Sequence, residues 1–390
     1  MISGLKILVL APFYHESSAN RPRIVAEVLA KFGDVDIVTT DFDHLTKRRS
    51  LPLEYKDSRF LHRLPTLPYY HNVSIARFVS HFCFSIRAWL FSVRSRHTYD
   101  VIYASLPLNL IAWLVFRSHR QQLRIVDVVD IWPDVLPFKE VHRKLLGPLF
   151  RLWKTFFIGA VSKADLLLSV SDRFLADSLP FFRAPASCAA RVYIGCEGLP
   201  KGKRLGGDLL TLAYIGNIGH VYDFETLLDV MIEKKGSMRL FIVGDGDRRE
   251  WLITRLQEHQ LPHKYFGPVY DPSLLSEIFA QCDAGFNGYK NTSAAFSYKA
   301  NSYFAAGLPI LNSMTGDLET LVAEQGLGFN YNSGDVASLA KAVANLTEGD
   351  SQFLRRNVAT FFESELDLDR VKESLENFFR IHFSGLQRPQ

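Results

Sequence analysis

Ser297 to Leu311 reads S-Y-K-A-N-S-Y-F-A-A-G-L-P-I-L, and this stretch decides the fold. Ala300 to Ala306 are mostly tolerable helix residues, Gly307 suits the position after a helix end, and Pro309 cannot extend the helix. The spacing predicts a helix from about Tyr298 to Ala306 running into an apolar strand, Pro309 to Leu311. A helix N-terminus carries partial positive charge and free N–H groups, and Lys299 adds a full charge, so an anion is favoured there. The plainer alternative is a packed α/β connection whose lysine is merely solvated.

Outward from this stretch the same rhythm repeats. Upstream come strand candidates Leu212–Ile215, Leu240–Val243, Tyr265–Phe266 and Ala284–Phe286, and downstream Gly328–Asn330. Before residue 200 the alternation runs through Lys6–Ala11, Val35–Thr39, Val101–Ala104, Arg124–Val129, Leu166–Val170 and Arg191–Ile194. Strands separated by helical stretches imply parallel sheets, so the class is α/β with two Rossmann-like doubly wound domains. The expected division is 1–197, a Gly- and Lys-rich linker 198–207, a second domain 208–365, and a C-terminal segment 366–390. That segment holds an amphipathic helix of roughly Asp367 to Phe383. Ligands of such sheets bind beyond the carboxyl ends of the strands, so two facing sheets are expected to form a cleft with one ligand on each wall.

A chain of 390 residues exceeds the size at which single cores divide. The four cysteines, Cys83, Cys188, Cys196 and Cys282, have no CxxC spacing, which argues against a zinc knuckle or disulfide framework and fits a reducing cytoplasm. The opening M-I-S-G-L-K-I-L-V-L-A-P reads as a first strand rather than a signal peptide. No run of 18 uninterrupted apolar residues suggests a membrane span. Charge is unevenly placed: residues 1–200 carry 26 Lys and Arg against 17 Asp and Glu, whereas the remainder carries 19 against 24. Between Asp57 and Asp100 no acid occurs, while Arg59, Arg63, Arg77, Arg87, Arg94 and Arg96 alternate with Tyr69, Tyr70, Phe78, Phe82, Phe84, Trp89 and Phe91. Such a face suits an anionic surface.

Within the second domain, Y-I-G-N-I-G-H-V-Y-D-F places a glycine turn, Gly216 to Gly219, between a strand and a helix expected from about Phe224. Glycines there let backbone N–H groups approach a diphosphate, although two glycines in a βα turn are often geometric only. Asp245 and Asp247 resemble a metal pair on paper, but D-G-D after a strand is ordinary turn chemistry. In the first domain, strand one ends in A-P-F-Y-H-E-S-S-A-N-R-P-R and not G-x-G-x-x-G, which weakens a nicotinamide or flavin reading. Pro22 opens a helix to Phe32, and Arg21 and Arg23 beside its start either grip a phosphate or acceptor, or are solvated or paired with Glu16 or Glu27.

The ordered pieces Y-I-G-N-I-G, F-I-V-G-D-G, Y-F-G-P-V and Y-K-A-N-S-Y-F-A-A-G-L-P-I resemble those of retaining glycosyltransferases of the GT-B type. The likeness is greatest to the family 4 enzymes of bacterial capsule, O-antigen and exopolysaccharide synthesis. V-D-V-V-D-I-W-P-D (Val126–Asp134) and A-D-L-L-L-S-V-S (Ala164–Ser171) are similar to first-domain segments of that family. The resemblance covers nearly the whole chain. It departs where family members carry a glutamate pair separated by seven residues: here those positions are Ala294 and Ser302. Asn217 and Tyr222 stand where many members place Arg and Lys. A serine cannot supply a charged acceptor to two ribose hydroxyls, so donor identity or affinity is open, and so is an inactive scaffold.

The resemblance implies transfer from a nucleotide-diphosphate sugar, UDP-linked, with no metal or other cofactor. The diphosphate is expected at Gly216, Asn217, Gly219 and Lys299, the base at the backbone near Pro268 and Val269, and ribose or phosphate at Ser297, Asn301 and Ser302. Asp130 is where family members present a residue to the transferred sugar or acceptor; its other reading is a cap on the turn before Trp132 and Pro133. The acceptor is expected to be lipid-linked or a saccharide. Val141–Ala160, with Arg143, Lys144, Arg151 and Lys154 among Leu, Phe and Trp, is a basic aromatic helix suited to the interface of an anionic membrane, or a packed helix with solvated cations. The location implied is cytoplasmic, on the inner face of the plasma membrane. Alternatives are a nucleotide-sugar epimerase of the same fold and a catalytically silent transferase partner. No nucleic-acid partner is expected, because the second half is acidic and no binding module is recognisable.

Overall fold

Leu5–Leu10, Val101–Leu106 and Leu123–Val128 are mostly apolar, and at least four of the six residues in each are buried, as in strands covered on both sides. In the computed structural model they are the central strands β1, β4 and β5 of a parallel sheet. The residues described are 4–15, 20–44, 46–49, 60–71, 74–95, 99–132, 147–200, 207–290 and 296–386. With β2 (Gly33–Thr40), β3 (Phe60–Leu64), β6 (Leu166–Ser169) and β7 (Ala189–Arg191) the order across the first sheet is β3-β2-β1-β4-β5-β6-β7. The second sheet comprises β8 (Leu210–Ile215), β9 (Met238–Val243), β10 (His263–Gly267), β11 (Ala284–Asn287), β12 (Ile310–Asn312) and β13 (Gly328–Asn330). Its order is β10-β9-β8-β11-β12-β13. Both sheets are parallel throughout and change winding direction beside their first strand, between β1 and β4 and between β8 and β11.

Two differences from the sequence reading have physical causes. β3 is unannounced because F-L-H-R-L lacks an apolar run; as an edge strand it pairs only with β2, and His62 Nε2 meets Asp36 of β2 at 3.0 Å. β7 ends at Arg191 where the expected strand began, and the first helix ends at Leu29 because Gly33 already enters β2.

The chain forms two units, Met1–Ile194 with Val371–Gln390, and Gly195–Arg370. The boundary falls before the expected linker because Cys196 pairs with the segment near residue 367: Cys196 N–H donates to Leu366 O at 2.9 Å and Leu368 N–H to Cys196 O at 3.1 Å. Residues 201–206 of that linker lie outside the described residues. The helix Leu368–Phe383 buries Val371, Leu375, Phe378, Phe379 and Phe383. Within the first unit Phe379 and Phe383 stand edge-on to Phe32, with ring centroids 6.4 and 5.2 Å away. Lys372 and Glu376 pair with Glu27 and Lys31 at 2.9 and 2.5 Å. Burying each ring contributes about 1.5–3 kcal/mol, far more than the exposed pairs.

Candidate functional site

In the second unit, the helix Tyr298–Ala305 starts from Ser297, ends at Ala306, and is followed by Gly307 at φ +67°. It connects β11 to β12, while the turn at Gly216 leaves the end of β8, the neighbour of β11. Both therefore stand at the carboxyl ends of the two strands between which the winding reverses, the crevice where open α/β sheets bind ligands.

Lys299 is brought onto that turn. A β-carbon on Gly216 would lie 3.0 Å from Lys299 Cε, and Gly216 has φ +115°. Its carbonyl in turn leaves no room for a side chain on Gly244, whose β-carbon would come within 2.0 Å. The lysine is only 8% exposed. Its Nζ donates to the Tyr214 hydroxyl at 2.5 Å, and that hydroxyl donates to the Asn217 carbonyl. Three aromatic rings surround it: Nζ is 3.1 Å from the ring centre of Tyr222, 4.2 Å from that of Tyr214 and 5.4 Å from that of Tyr289. The cage is held by a Tyr222–Tyr289 bridge and by Lys290 N–H donating to Val221 O at 2.8 Å. Cation–π contact stabilises an ammonium only partly, and among the described residues no carboxylate sits against it; burial pushes Lys299 down to about 6. A buried amine whose charged form lacks a counter-charge among the described residues is a receptor for an anion.

Ser297 is turned inward. Its hydroxyl caps the helix, donates to Asn287 Oδ1 at 2.9 Å and lies 3.3 Å from the Tyr289 hydroxyl. From there a ladder crosses three strand ends: Asn287 Nδ2 donates to Asn312 Oδ1 and Asn312 Nδ2 to Asn330 Oδ1, both at 2.8 Å. Ser297 thus positions the helix that carries Lys299. Ser302 donates to Tyr298 O at 3.4 Å, a back-bond within its own helix, and Asn301 is buried with its carbonyl accepting from Cys196 Sγ at 3.7 Å. Asn217 is exposed and Gly219 buried in the glycine turn; Val269 is half-buried in the loop after β10. Asp245 accepts from Gly246 N–H at 2.8 Å and pairs with Arg249, as turn chemistry requires. Ala294 lies outside the described residues.

In the first unit the structure corrects the role expected of Arg21. Its guanidinium, 1% exposed, donates through Nε to Asp127 Oδ2 at 2.7 Å and through Nη2 to Oδ1 at 3.4 Å, and Nη1 reaches Tyr193 O at 3.5 Å. Tyr103 donates its hydroxyl to the same carboxylate. Neither water nor a phosphate reaches this fork. Arg23 pairs with Glu27 at 2.9 Å, one of the partners expected of it. Asp130 accepts from Ile131 N–H at 3.1 Å and from Trp132 Nε1 at 2.8 Å, and burial pushes its carboxyl up to about 6. Among the described residues each oxygen has one such partner, which leaves it a second lone pair.

The sequence reading missed the tyrosine cage. Tyr214 and Tyr289 had a signal, since each lies within two residues of a strand end and of a glycine; Tyr222, well past the end of β8, had none.

Gly216→Ala is expected to cost about 1–3 kcal/mol through its positive φ and to displace Lys299. Thermal unfolding checks this; an unchanged Tm would show that the turn tolerates a side chain.

Residues 210–349 match the model of the family described as Glycosyl transferases group 1. The glycogen synthase of Mycobacterium tuberculosis is 25% identical over 186 residues, 46% of this chain and 44% of that protein. The chain therefore spans less than half the length of the curated relatives it matches. Among solved structures, sucrose-phosphate synthase from Thermosynechococcus elongatus aligns with a TM-score of 0.70 at 17% identity, covering 98% of this chain and all of that one. HepE from Anabaena in complex with UDP aligns at 0.65 and 13%, covering 97% of this chain and all of that one. The fold is GT-B, two doubly wound parallel-sheet domains. The family match lies within the second unit, and together with these relatives it supports a glycosyltransferase.

Proposed function

We propose that the chain is a retaining glycosyltransferase of the family 4 kind. It moves a sugar from a nucleotide-diphosphate sugar, UDP-linked, to a lipid-linked or polysaccharide acceptor in bacterial surface-glycan synthesis, at the inner face of the plasma membrane. The observation that carries this reading is Lys299: a buried amine with no carboxylate against it among the described residues, over a glycine turn, at the strand ends where winding reverses. A diphosphate supplies the missing charge, and stabilising it as it leaves is the electrostatic work that sugar transfer demands. UDP in the Anabaena relative supports the choice of nucleotide. In this reading Lys299, the helix N-terminus and the backbone of Gly216 to Gly219 provide the positive charge, so no metal ion is assigned. Val269 backbone meets the base. Asp130, in the first unit, contacts the transferred sugar or the acceptor hydroxyl. Because the sugar-holding glutamate is replaced by Ser302, whose hydroxyl is spent on Tyr298 O, ribose recognition falls to backbone groups and to Asn217.

A nucleotide-sugar screen by thermal shift, followed by transfer to a bacterial lipid extract, tests this. A donor at about 100 times its Kd is expected to add about 2.7 kcal/mol to stability. Asp130→Asn is expected to lower turnover by about 10²- to 10⁴-fold with donor binding intact. If no nucleotide sugar shifts the transition, the silent-partner reading takes over; if donor is epimerised without acceptor, the epimerase reading does.

A further inference from the structure

The first unit contains a second chemical feature that donor binding does not use. The helices Ile75–Arg94, Asn109–Ser118 and Gly147–Val161 enclose a cavity of about 310 Å³, bounded almost entirely by carbon. Its walls include Phe78, Trp153 and Phe156, with Phe78 and Trp153 edge-on at 5.0 Å. Four of its lining residues, Val79, Phe82, Leu149 and Leu152, are also large exposed hydrophobic side chains, so the cavity opens to solvent through an apolar mouth. Soluble surfaces rarely leave such a cluster bare, and an open apolar slot of this size is the form of a small-molecule site.

The cavity is not uniformly apolar. His81 and Asn109 also line it, both buried, and His81 Nε2 and Asn109 Oδ1 have no hydrogen-bond partner among the described residues. His81 stacks on Trp132 with ring centroids 5.8 Å apart, and Asn109 Nδ2 donates to Trp132 O at 2.9 Å. The guanidinium of Arg77 lies 4.7 Å over the same Trp132 ring. Trp132 in turn holds Asp130 through its indole N–H and meets Trp153 of the cavity wall at 6.0 Å. A polar, cationic end therefore adjoins the Asp130 turn, and an apolar length leads away from it.

Charge narrows the occupant further. The two helices that form the mouth carry Arg77, Arg87, Arg94, Arg151 and Lys154 and no Asp or Glu. An apolar slot between helices that carry only basic charges, with a hydrogen-bonding end, is complementary to an amphiphile with a hydrocarbon chain and an anionic head. A peptide helix would present backbone length and side-chain bulk that a slot this small does not match.

We propose that this cavity receives the hydrocarbon chain of a single long-chain lipid phosphate, with the phosphate at Arg77 and His81 beside Asp130. This deepens the reading of the first unit as the acceptor half and rests on it. A chain drawn into the slot would fix the depth and orientation of a lipid-linked acceptor. Adsorption of the basic face on a bilayer would fix neither.

The test is a fluorescence titration of the full-length protein with dodecyl phosphate brominated at the chain end, kept below its micelle concentration. Trp153 lines the cavity, so saturable quenching is expected, abolished by Trp153→Phe. Leu152→Glu and Val79→Glu, both at exposed positions, are expected to weaken binding at least tenfold with thermal unfolding unchanged. Arg77→Gln is expected to weaken dodecyl phosphate but not brominated dodecanol. UDP-sugar binding is followed in the same samples. A protein that binds UDP-sugar but shows no saturable quenching overturns the cavity assignment and leaves the donor site standing. Quenching without nucleotide-sugar binding sustains the lipid site and removes the transferase reading. Flotation with anionic vesicles but no binding of the monomeric probe means surface adsorption, and wild-type dimerisation broken by Leu152→Glu means a second copy of the chain; either result also overturns the proposal.

Discussion

Lys299→Met is expected to weaken UDP-sugar binding by on the order of a hundredfold, the roughly 2–3 kcal/mol of a charge-assisted contact, and to erase its pH dependence. The sign follows from the proton balance. The free protein holds Lys299 near 6, well below a solvated lysine, so around neutrality the amine is largely uncharged. A diphosphate against the ammonium restores the charged form, so the complex binds a proton that the free protein lacks. Affinity then falls as pH rises above about 6, by up to about tenfold per unit, until the lysine of the complex itself titrates. Below about 6 the lysine is charged with or without ligand and the dependence disappears. The diphosphate of a nucleotide sugar is esterified at both ends and does not titrate in this window. The groups facing Lys299 are Tyr214, Tyr222 and Tyr289, whose hydroxyls burial pushes upward, away from the window. Calorimetry between pH 6.5 and 8.5, in buffers of differing ionisation enthalpy, reads the slope and the proton uptake directly. A flat wild-type profile with tight binding would remove Lys299 from the diphosphate site.

The same group shapes stability in the unliganded protein. The unfolded chain protonates its lysine up to about 10, the folded one only up to about 6. Between those values the unfolded state binds more protons, so this group makes the fold less stable as pH falls toward 6.

Asp127→Ala is expected to be the most damaging single change in the first unit, about 3–5 kcal/mol. It strands the guanidinium of Arg21, 1% exposed, and deprives the Tyr103 hydroxyl of its acceptor. Arg21→Met strands the carboxylate in the same way. Because the pair is solvated in the unfolded chain, the double variant is expected to cost clearly less than the sum of the singles. Denaturant unfolding of the four proteins gives the coupling energy, and additive losses would show that the two side chains do not depend on each other.

The two sheets were largely legible because parallel central strands are written as apolar runs broken by at most a small hydroxyl residue, such as V-I-Y-A-S-L and L-T-L-A-Y-I. The helix Tyr298–Ala305 was legible for a local reason, with a serine at one end and a glycine at the other. The edge strand Phe60–Leu64 was not, since pairing on one side leaves the other free of any pattern. Within the candidate site, Lys299 and Gly216 could be read from their neighbours in sequence. The cage around Lys299 could not, because Tyr214, Tyr222 and Tyr289 come together only when β8 and β11 lie side by side. Arg21 failed for a similar reason. A guanidinium beside a helix start looks free until Asp127, distant in the chain, is placed against it.

The helix Leu368–Phe383 gives the first unit an unusual order of birth. Phe32 is made before any residue of Gly195–Arg370, and the rings that close over it, Phe379 and Phe383, are made after all of them. On the ribosome, the whole of Gly195–Arg370 emerges before that patch can be covered, so the second unit is complete while the first still lacks a wall.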